Sequence, residues 1–275
     1  MKKKILFFIT GLGKGGAEKQ MYNLIKGLLE KRDVEIKVIA LKKGYYYKQL
    51  EQLNVSIEIY KNKFSYLNFF GFISFFKKNV KNFKPDIVHS FLFHSNIISK
   101  FSLLFMKKNF KLICSYRDKI TNHKFIYYLE KLNKDKPDLL ISNSNEADND
   151  LKRMRISNKK RKVIYNGFVF KSLEMQKLNT LEKKYSHKKI ILTIGRFAKQ
   201  KDYLTNVKTA MELLKYRKDF IFLYIGDGEQ INMIKDFVEK NNLNEHIKFL
   251  GLRNDVLEFM SISDVFFLPT LHESM

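Results

Sequence analysis

Short runs of β-branched and aromatic residues alternate with helical stretches along the chain of 275 residues. The first such run, KILFFIT at 4–10, precedes an amphipathic stretch at 16–31, and VEIKVIAL at 34–41 precedes another helical stretch at 45–53. The runs DIVHSF, KLICSY and DLLISNS continue the pattern, and helical stretches follow them at 94–106, 122–133 and 144–155. Strands separated by helices in this way predict an α/β fold, in which a parallel sheet is covered by helices on both faces.

The alternation pauses once, which indicates two domains. After VIYNGF at 163–168 the chain becomes polar and lysine-rich, and strand-like runs resume only with IILTIGR at 190–196. We therefore predict two Rossmann-like domains, an N-terminal domain at 1–166 and a C-terminal domain at 187–275, joined by a hinge at 167–186.

The C-terminal domain contains four strand-like runs. Arg196 follows the first of them, and the loop after the fourth carries Glu273. In a doubly wound sheet the first and fourth strands are neighbours, and ligands bind at their carboxyl ends, where the winding reverses. We therefore expect Arg196 and Glu273 to face one crevice.

The composition is strongly basic, with 52 lysine and arginine residues against 28 aspartate and glutamate residues and a net charge of +24. This excess attracts polyanions, of which nucleic acid, an anionic membrane and nucleotide phosphates are the main classes. The lysines are spread along the whole chain rather than gathered in one block.

Cysteine content and apolar runs bear on the cellular location. Because the chain has a single cysteine, Cys114, it cannot form an internal disulfide, which favours a location in the reducing cytoplasm. Cys114 lies in an apolar run, so we interpret it as a small hydrophobic residue of the core. We interpret the amino terminus as a first strand and not as a secretory signal, because its apolar run breaks at Thr10. No run reaches the ~20 apolar residues that a membrane-spanning helix needs.

The motif GLGKGG at 11–16 follows the first strand and has the G-x-G-x-x-G spacing. Such glycines let the backbone approach a phosphate, and the amino terminus of the next helix adds free N–H donors. A dehydrogenase would need an acidic residue at the end of the second strand, where the chain reads ALKKG. The motif is compatible with a phosphate-facing loop, a dinucleotide site or a simple tight turn.

Two cations flank the end of the first strand of the C-terminal domain. Arg196 directly follows this strand, and Lys201 comes five residues later, near the start of the next helix. Such a pair can hold a diphosphate, because arginine offers a planar fork of donors and lysine a point charge. It would stabilise a leaving nucleoside diphosphate without a metal ion. The alternative is that both side chains are only solvated.

Other polar residues are weaker candidates. His89 flanks a strand-to-helix loop, where it could reach a cleft or serve a structural role. Asp148 and Asp150 have the Asp-x-Asp spacing of a metal site, but they fall inside a helical stretch, which favours a solvated helix face. The six histidines show no ligand spacing for zinc, and we expect neither a metal ion nor a cofactor.

The segment FSYLNFFGFISFFKKNVKNFK at 64–84 carries aromatic residues on several sides and lysines towards its end. A helix packed within the first domain explains the aromatic residues. The alternative is an amphipathic helix on an anionic membrane surface, where apolar insertion and charge attraction combine.

Taken together, several motifs in order resemble a known family: GLGKGGAEKQ, SNS, VIYNG, IGRFAKQKDY, YIGDGEQ, FLG and DVFFLPTLHES. They are similar to those of the retaining, nucleotide-sugar-dependent glycosyltransferases with the GT-B fold, which build bacterial polysaccharides and glycolipids. The resemblance runs from one end of the chain to the other. It implies that the first domain holds the acceptor and the second the donor.

The resemblance also implies roles at the donor diphosphate. Gly15 and Gly16 match the glycine loop of the first domain, which approaches the diphosphate in relatives. Arg196 and Lys201 match the pair that neutralises the diphosphate as the glycosyl bond breaks.

Three further residues match positions that contact the sugar and the base in relatives. Glu273 corresponds to the first glutamate of a Glu-x7-Glu motif, which holds hydroxyl groups of the donor sugar. Leu252 and Arg253 lie in the loop that contacts the nucleotide base.

The chain departs from the family pattern in two places. Many relatives carry a histidine after the fifth strand, where this chain has Arg117 as a candidate cleft residue. The chain also stops two residues after Glu273, before the second glutamate of the motif. We therefore expect a truncated donor site that binds donor poorly and transfers little.

These expectations describe a glycosyltransferase that moves a sugar from a nucleotide-sugar donor to a glycan or lipid-linked acceptor. Its expected location is the cytoplasm, the basic charge is compatible with peripheral contact with an anionic inner membrane, and no nucleic-acid partner is expected. The alternatives are a nucleotide-sugar epimerase on the same fold and a non-catalytic basic module that binds nucleic acid or membrane.

Overall fold

The computed structural model describes residues 2–61, 68–117, 124–169 and 172–271. These residues divide into two compact units, of which the first ends at Phe168 and the second begins at Val169. Each unit is built on its own parallel sheet.

Seven described strands form the sheet of the first unit: β1 (Lys3–Gly11), β2 (Val34–Lys42), β3 (Ser56–Ile59), β4 (Ile87–Phe91), β5 (Lys111–Tyr116), β6 (Leu139–Ser142) and β7 (Arg161–Val163). They lie in the order β3-β2-β1-β4-β5-β6-β7 and pair in parallel. The helices between them are α1 (Gly16–Lys31), α2 (Tyr46–Glu51), α3 (Phe69–Phe83), α4 (Phe93–Ser102), α5 (Lys124–Leu132) and α6 (Asn145–Arg153).

Successive residues of β1 point to opposite faces of this sheet, and helices cover both faces. Leu6 and Phe8 pack with residues of α3 on one face, and Phe7 and Ile9 pack with residues of α1 on the other. A strand that is buried on both faces needs a continuous apolar run, which is why KILFFIT carries no charge after Lys4. The predicted α/β sheet with helices on both faces is confirmed.

The described part of the aromatic segment 64–84 forms α3, and its inner side belongs to the core. Phe72 and Phe76 are buried, and the ring centroids of Phe76 and Phe8 lie 5.5 Å apart. The packed-helix interpretation is therefore correct for this side of α3. On the outer side, Phe70 is 75% exposed.

The second unit contains a smaller sheet of four described strands: β8 (Lys189–Ile194), β9 (Phe220–Ile225), β10 (Ile247–Gly251) and β11 (Val265–Phe266). Their order is β10-β9-β8-β11. Ile191 pairs with Val265 and Leu192 with Phe266, so the first and fourth strands of this unit are neighbours, as predicted. The helices of the unit are α7 (Met175–Tyr185), α8 (Tyr203–Leu213), α9 (Ile231–Lys240) and α10 (Val256–Ser261).

Helix α7 occupies most of the described part of 167–186, the range suggested as a hinge. Its residues Leu181 and Tyr185 are buried in one apolar cluster with Ile190 of β8 and Phe259 of α10. These contacts make α7 part of the second unit.

Candidate active site

Arg196 follows β8, between a glycine and a buried aromatic residue. The Phe197 ring stacks on Tyr203 of α8 with centroids 3.8 Å apart, and the Phe197 amide donates a hydrogen bond to the Asp227 carbonyl at 3.0 Å. These contacts hold the backbone on the carboxyl side of Arg196, whose own side chain is exposed. Within the described ranges no residue pairs with its guanidinium, so the group is available to an anionic ligand.

Lys201 lies at the same strand end. Its Cδ and Cε atoms would be 3.8 Å from a Cβ atom added to Gly195, the residue before Arg196. The next residue, Asp202, takes a left-handed conformation with φ 45° and caps α8, because its carboxylate accepts hydrogen bonds from the amide and hydroxyl of Thr205 at 3.3 and 2.7 Å. The fold therefore places two cations beside the carboxyl end of β8.

Two glycines after β9 support the Arg196 loop, although neither was predicted from the sequence as a site residue. Gly226 has φ +147°, and a Cβ atom there would collide with the Gly195 carbonyl oxygen. Gly228 has φ +158°, and its Cβ atom would lie 2.6 Å from the Phe197 carbonyl oxygen. Only glycine permits such conformations and so close an approach. The available signal was the Gly-Asp-Gly spacing directly after an apolar strand.

The two residues predicted to contact the nucleotide base follow β10. Leu252 is exposed, with an apolar side chain that can pack on a ligand. Arg253 forms a bidentate pair with Asp255, with N···O distances of 2.8 and 2.6 Å, and its guanidinium lies 5.3 Å from the centroid of the Phe259 ring. The hydrogen bonds from Arg253 hold the pKa of Asp255 below its usual value. Arg253 is thus held within its own loop, and its role towards the base stays a prediction.

The loop after β11 returns to the turn that carries Lys201. The Leu271 amide and the Thr270 hydroxyl both donate to the Gln200 carbonyl, at 2.9 and 3.0 Å. This brings the chain next to Lys201 two residues before Glu273. Glu273 itself lies outside the described residues, and its role stays a prediction.

In the first unit, Gly15 is the N-cap of α1 and Gly16 its first residue. The Glu18 carboxylate folds back onto this loop, so that a Cβ atom on Gly15 would collide with it, whereas one on Gly16 would meet open space. Burial raises the pKa of Glu18. Glu18 is the third residue of α1, a position from which a side chain can reach back to the N-cap. Glu18 was not predicted as a site residue, and the available signal was the Gly-x-x-Glu spacing.

His89 lies inside the first sheet rather than in an open cleft, which supports its structural interpretation. Its Nε2 atom is 2.8 Å from the Ser115 hydroxyl, and its ring centroid is 4.4 Å from that of Phe91. Burial, and after it the nearby Arg117 charge, lowers the pKa of His89 to about 3. The imidazole is therefore neutral at physiological pH.

The burial of His89 predicts a loss of stability in weak acid. Below a pKa of about 6.5 the unfolded chain takes up a proton on this residue that the folded chain excludes. Between pH 7 and 5 the free energy of unfolding should therefore fall by about 2 kcal/mol more in the wild type than in His89→Gln. Urea unfolding at these pH values measures the difference. Replacing the exposed His187 by glutamine is the control, and this variant should show the pH dependence of the wild type. Equal pH dependence in the wild type and His89→Gln would contradict the prediction.

Arg117, the other candidate cleft residue, follows β5 and is partly buried. Its guanidinium lies 5.4 Å from the centroid of the Phe91 ring and donates a hydrogen bond to the Asn166 side chain. Burial lowers the pKa of Arg117. Its Nε atom is buried, and within the described part of the chain it has no hydrogen-bond partner.

Asp148 and Asp150 do not form the solvated helix face that the sequence favoured. Asp148 is buried and accepts two hydrogen bonds of 2.8 Å from Arg161, with Lys152 at 3.2 Å. Asp150 is also buried, with Arg153 at 3.4 Å. Arg161 lies on β7, so the pairing that covers these carboxylates depends on tertiary contact. Among the described residues no group of three or more potential ligands could hold a metal ion.

The sequence profile of Glycosyltransferase Family 4 matches residues 14–169, which is more than half of the chain. The profile of Glycosyl transferases group 1 matches residues 175–275. The chain belongs to this family of group 1 glycosyltransferases. It is therefore an enzyme, and the resemblance of its motifs to those of group 1 glycosyltransferases is confirmed.

Two relatives of this glycosyltransferase align with nearly its whole length. The capsular polysaccharide biosynthesis glycosyltransferase CapH of Staphylococcus aureus is 28% identical, and the alignment covers 99% of this chain and 76% of CapH. A Campylobacter jejuni enzyme that is named as an N-acetylgalactosaminyltransferase acting on a diphospho-undecaprenol-linked saccharide is 25% identical, with 98% and 75% covered.

Solved structures show the same fold. Anabaena HepE in complex with UDP and glucose superposes with a TM-score of 0.80 at 17% identity, covering 99% of this chain and 75% of HepE. WaaG, a glycosyltransferase of lipopolysaccharide biosynthesis, gives a TM-score of 0.74 at 13% identity, covering 98% and 76%. The predicted GT-B fold of this glycosyltransferase is thus confirmed.

Proposed function

We propose that this glycosyltransferase moves a sugar from a UDP-linked donor to a glycan or to a lipid-linked glycan. The observation that carries the proposal is the pair of cations, Arg196 and Lys201, at the carboxyl end of β8. The names of relatives support the substrate classes. CapH is named for capsular polysaccharide, and an Escherichia coli relative that is 34% identical over 89 residues is named as a transferase from UDP-Gal to a diphosphoundecaprenol-linked sugar.

The proposed chemistry uses the two cations to stabilise the leaving group. The bond between the sugar C1 atom and the diphosphate oxygen breaks, and its electron pair goes to that oxygen. Arg196 and Lys201 neutralise the charge that develops there, so the step needs no metal ion. The acceptor hydroxyl oxygen then bonds to C1, and its proton passes to the leaving diphosphate. Retention of configuration is part of the proposal by analogy with the family.

The two units would divide the substrates. We assign the donor to the second unit, which carries Arg196, and the acceptor to the first unit, which carries Arg117. We place the enzyme in the cytoplasm, in peripheral contact with an anionic membrane where a lipid-linked acceptor would lie. None of the helices in the described ranges has both the length and the apolar character needed to span a bilayer.

A transfer assay tests this proposal. The enzyme is incubated with radiolabelled UDP-glucose, UDP-galactose and UDP-N-acetylglucosamine, with and without a short glycan acceptor, in buffer with EDTA and in buffer with magnesium. We expect label in the acceptor for one donor, at a low but measurable rate that EDTA does not lower, in line with the weak transfer expected from the sequence. Proton NMR of the product then gives the anomeric configuration, which we expect to be retained.

The other outcomes have separate meanings. Conversion of the donor sugar without acceptor would identify an epimerase, and loss of transfer in EDTA would contradict metal independence. Binding of nucleic acid that weakens steeply with salt, without donor binding or transfer, would identify a basic binding module.

A further inference from the structure

A groove of about 860 Å³ lies along α3 in the first unit, between this helix and the segment 105–110. Its apolar floor consists of Ile73, Val80 and Phe110, which are buried. Two phenylalanine rings at the groove are exposed to solvent: Phe70 is 75% exposed and Phe105 is 53% exposed. We call this feature the α3 groove.

Five lysines line the rim of the α3 groove. Lys77 and Lys81 are four residues apart, which places them on one side of α3, and Lys84 directly follows the last residue of the helix. Lys78 and Lys107 are the other two. The α3 groove therefore has a row of positive charges along its rim and an apolar floor.

Little negative charge balances these lysines. Within the described residues none of the five forms an ion pair of 4.0 Å or less, although Lys78 lies close enough to Glu58 to contribute to the lowered pKa of that residue. Asp86 is the one acidic residue in the described lining, and its carboxylate accepts a hydrogen bond of 2.8 Å from the Lys4 amide. An anionic partner would supply the missing charge.

The exposed rings point to a partner that is also apolar. The Lys77 ammonium lies 5.9 Å from the centroid of the Phe105 ring, so a positive charge lies next to an exposed aromatic side chain. Adjacent exposed aromatic side chains are typical of an interaction site, and lysines next to them are typical of binding to the surface of an anionic membrane. A solvated helix face would explain the lysines but not Phe70 and Phe105.

We propose that the α3 groove docks this enzyme on a bilayer that contains anionic phospholipid. The rim lysines would contact the phosphate headgroups, and Phe70 and Phe105 would enter the boundary between headgroups and acyl chains. The exposed rings and the rim lysines thus support the alternative that α3 contacts an anionic membrane surface as well as the core. The inference rests on the proposed function only in placing a lipid-linked acceptor at such a membrane.

Flotation with lipid vesicles tests the inference without any substrate. The wild type should bind vesicles of phosphatidylglycerol and phosphatidylcholine and should not bind vesicles of phosphatidylcholine alone. Each lysine near an anionic surface strengthens binding about fivefold, so Lys81→Gln/Lys84→Gln should bind about 25-fold more weakly. Phe70→Ser should weaken binding about tenfold at any salt concentration, because its effect is apolar.

Matched controls and a second readout keep the inference falsifiable. Lys183→Gln/Lys208→Gln removes two exposed lysines of the second unit and should bind vesicles like the wild type. Equal weakening by both double variants, or equal binding to charged and uncharged vesicles, would overturn the inference. Transfer to a water-soluble acceptor should be unchanged in Lys81→Gln/Lys84→Gln. Failure of docking with intact transfer contradicts only this inference, whereas docking without transfer by the wild type contradicts the proposed function.

Discussion

Replacing Arg196 with alanine should lower kcat/KM for sugar transfer about 100- to 1000-fold, the usual effect of removing one charge-stabilising donor at a transition state. The structure supports a large effect, because the backbone on both sides of Arg196 is packed while the side chain itself is exposed. An exposed arginine contributes little to folding, so the free energy of unfolding should stay close to that of the wild type. Initial rates with the preferred donor, together with urea unfolding, measure both quantities.

Two companion variants identify the cause of that loss. Arg196→Lys keeps the charge but not the planar fork of donors, and it should recover part of the activity. Lys199→Ala removes an exposed positive charge three residues away, and its activity should stay within about twofold of the wild type. If Lys199→Ala and Arg196→Ala lose the same activity, general electrostatic attraction and not a specific contact explains the result.

Replacing Gly226 with alanine should lower the free energy of unfolding by about 3 kcal/mol or more. Two effects add: a φ of +147° strains any residue with a Cβ atom, and the new atom would collide with the Gly195 carbonyl oxygen. The three nearest neighbours of the new atom are backbone atoms of Gly195, so no side-chain rotation relieves the collision. Because Gly195 precedes Arg196, the variant should also transfer sugar more slowly. Urea unfolding followed by circular dichroism measures the stability.

Gly27→Ala is the matched control for this substitution. Gly27 lies within α1, and a Cβ atom there would meet nothing within 4 Å. Alanine is the better helix former, so this variant should be more stable than the wild type by up to about 1 kcal/mol. A Gly226→Ala protein as stable as wild type would show that the strand-end turn is not constrained as the structure indicates.

Much of the fold was predictable from the sequence because apolar periodicity is local. The stretch predicted at 16–31 coincides with α1, whose two buried side chains, Met21 and Ile25, are one turn apart. The helix predicted at 94–106 ends earlier, at Ser102. Apolar residues beyond that point suggested a longer helix, but Phe105 lines the α3 groove instead. A periodic pattern shows that a residue is apolar, not whether it faces a core or an outer surface.

The candidate site was predictable to a similar extent and for a similar reason. Arg196 and Lys201 were identifiable because their strand and the following helix are consecutive in the chain. Gly226 was missed as a site residue because its constraint comes from a neighbouring strand, through the carbonyl oxygen of Gly195. Such a contact depends on strand order and register, which a local pattern does not contain.

The sequence by itself determined that this protein forms parallel sheets covered by helices, and it identified the family, because motif order and apolar alternation are properties of consecutive residues. Only the tertiary structure decided how individual polar groups are used. His89 is neutral because it is buried beside the Phe7 ring of β1 and the Phe91 ring of its own strand, Asp148 is paired because Arg161 of β7 reaches it, and Arg253 is held by Asp255. Burial and pairing depend on the distance between side chains in the folded chain, and that distance exists only after the elements have packed.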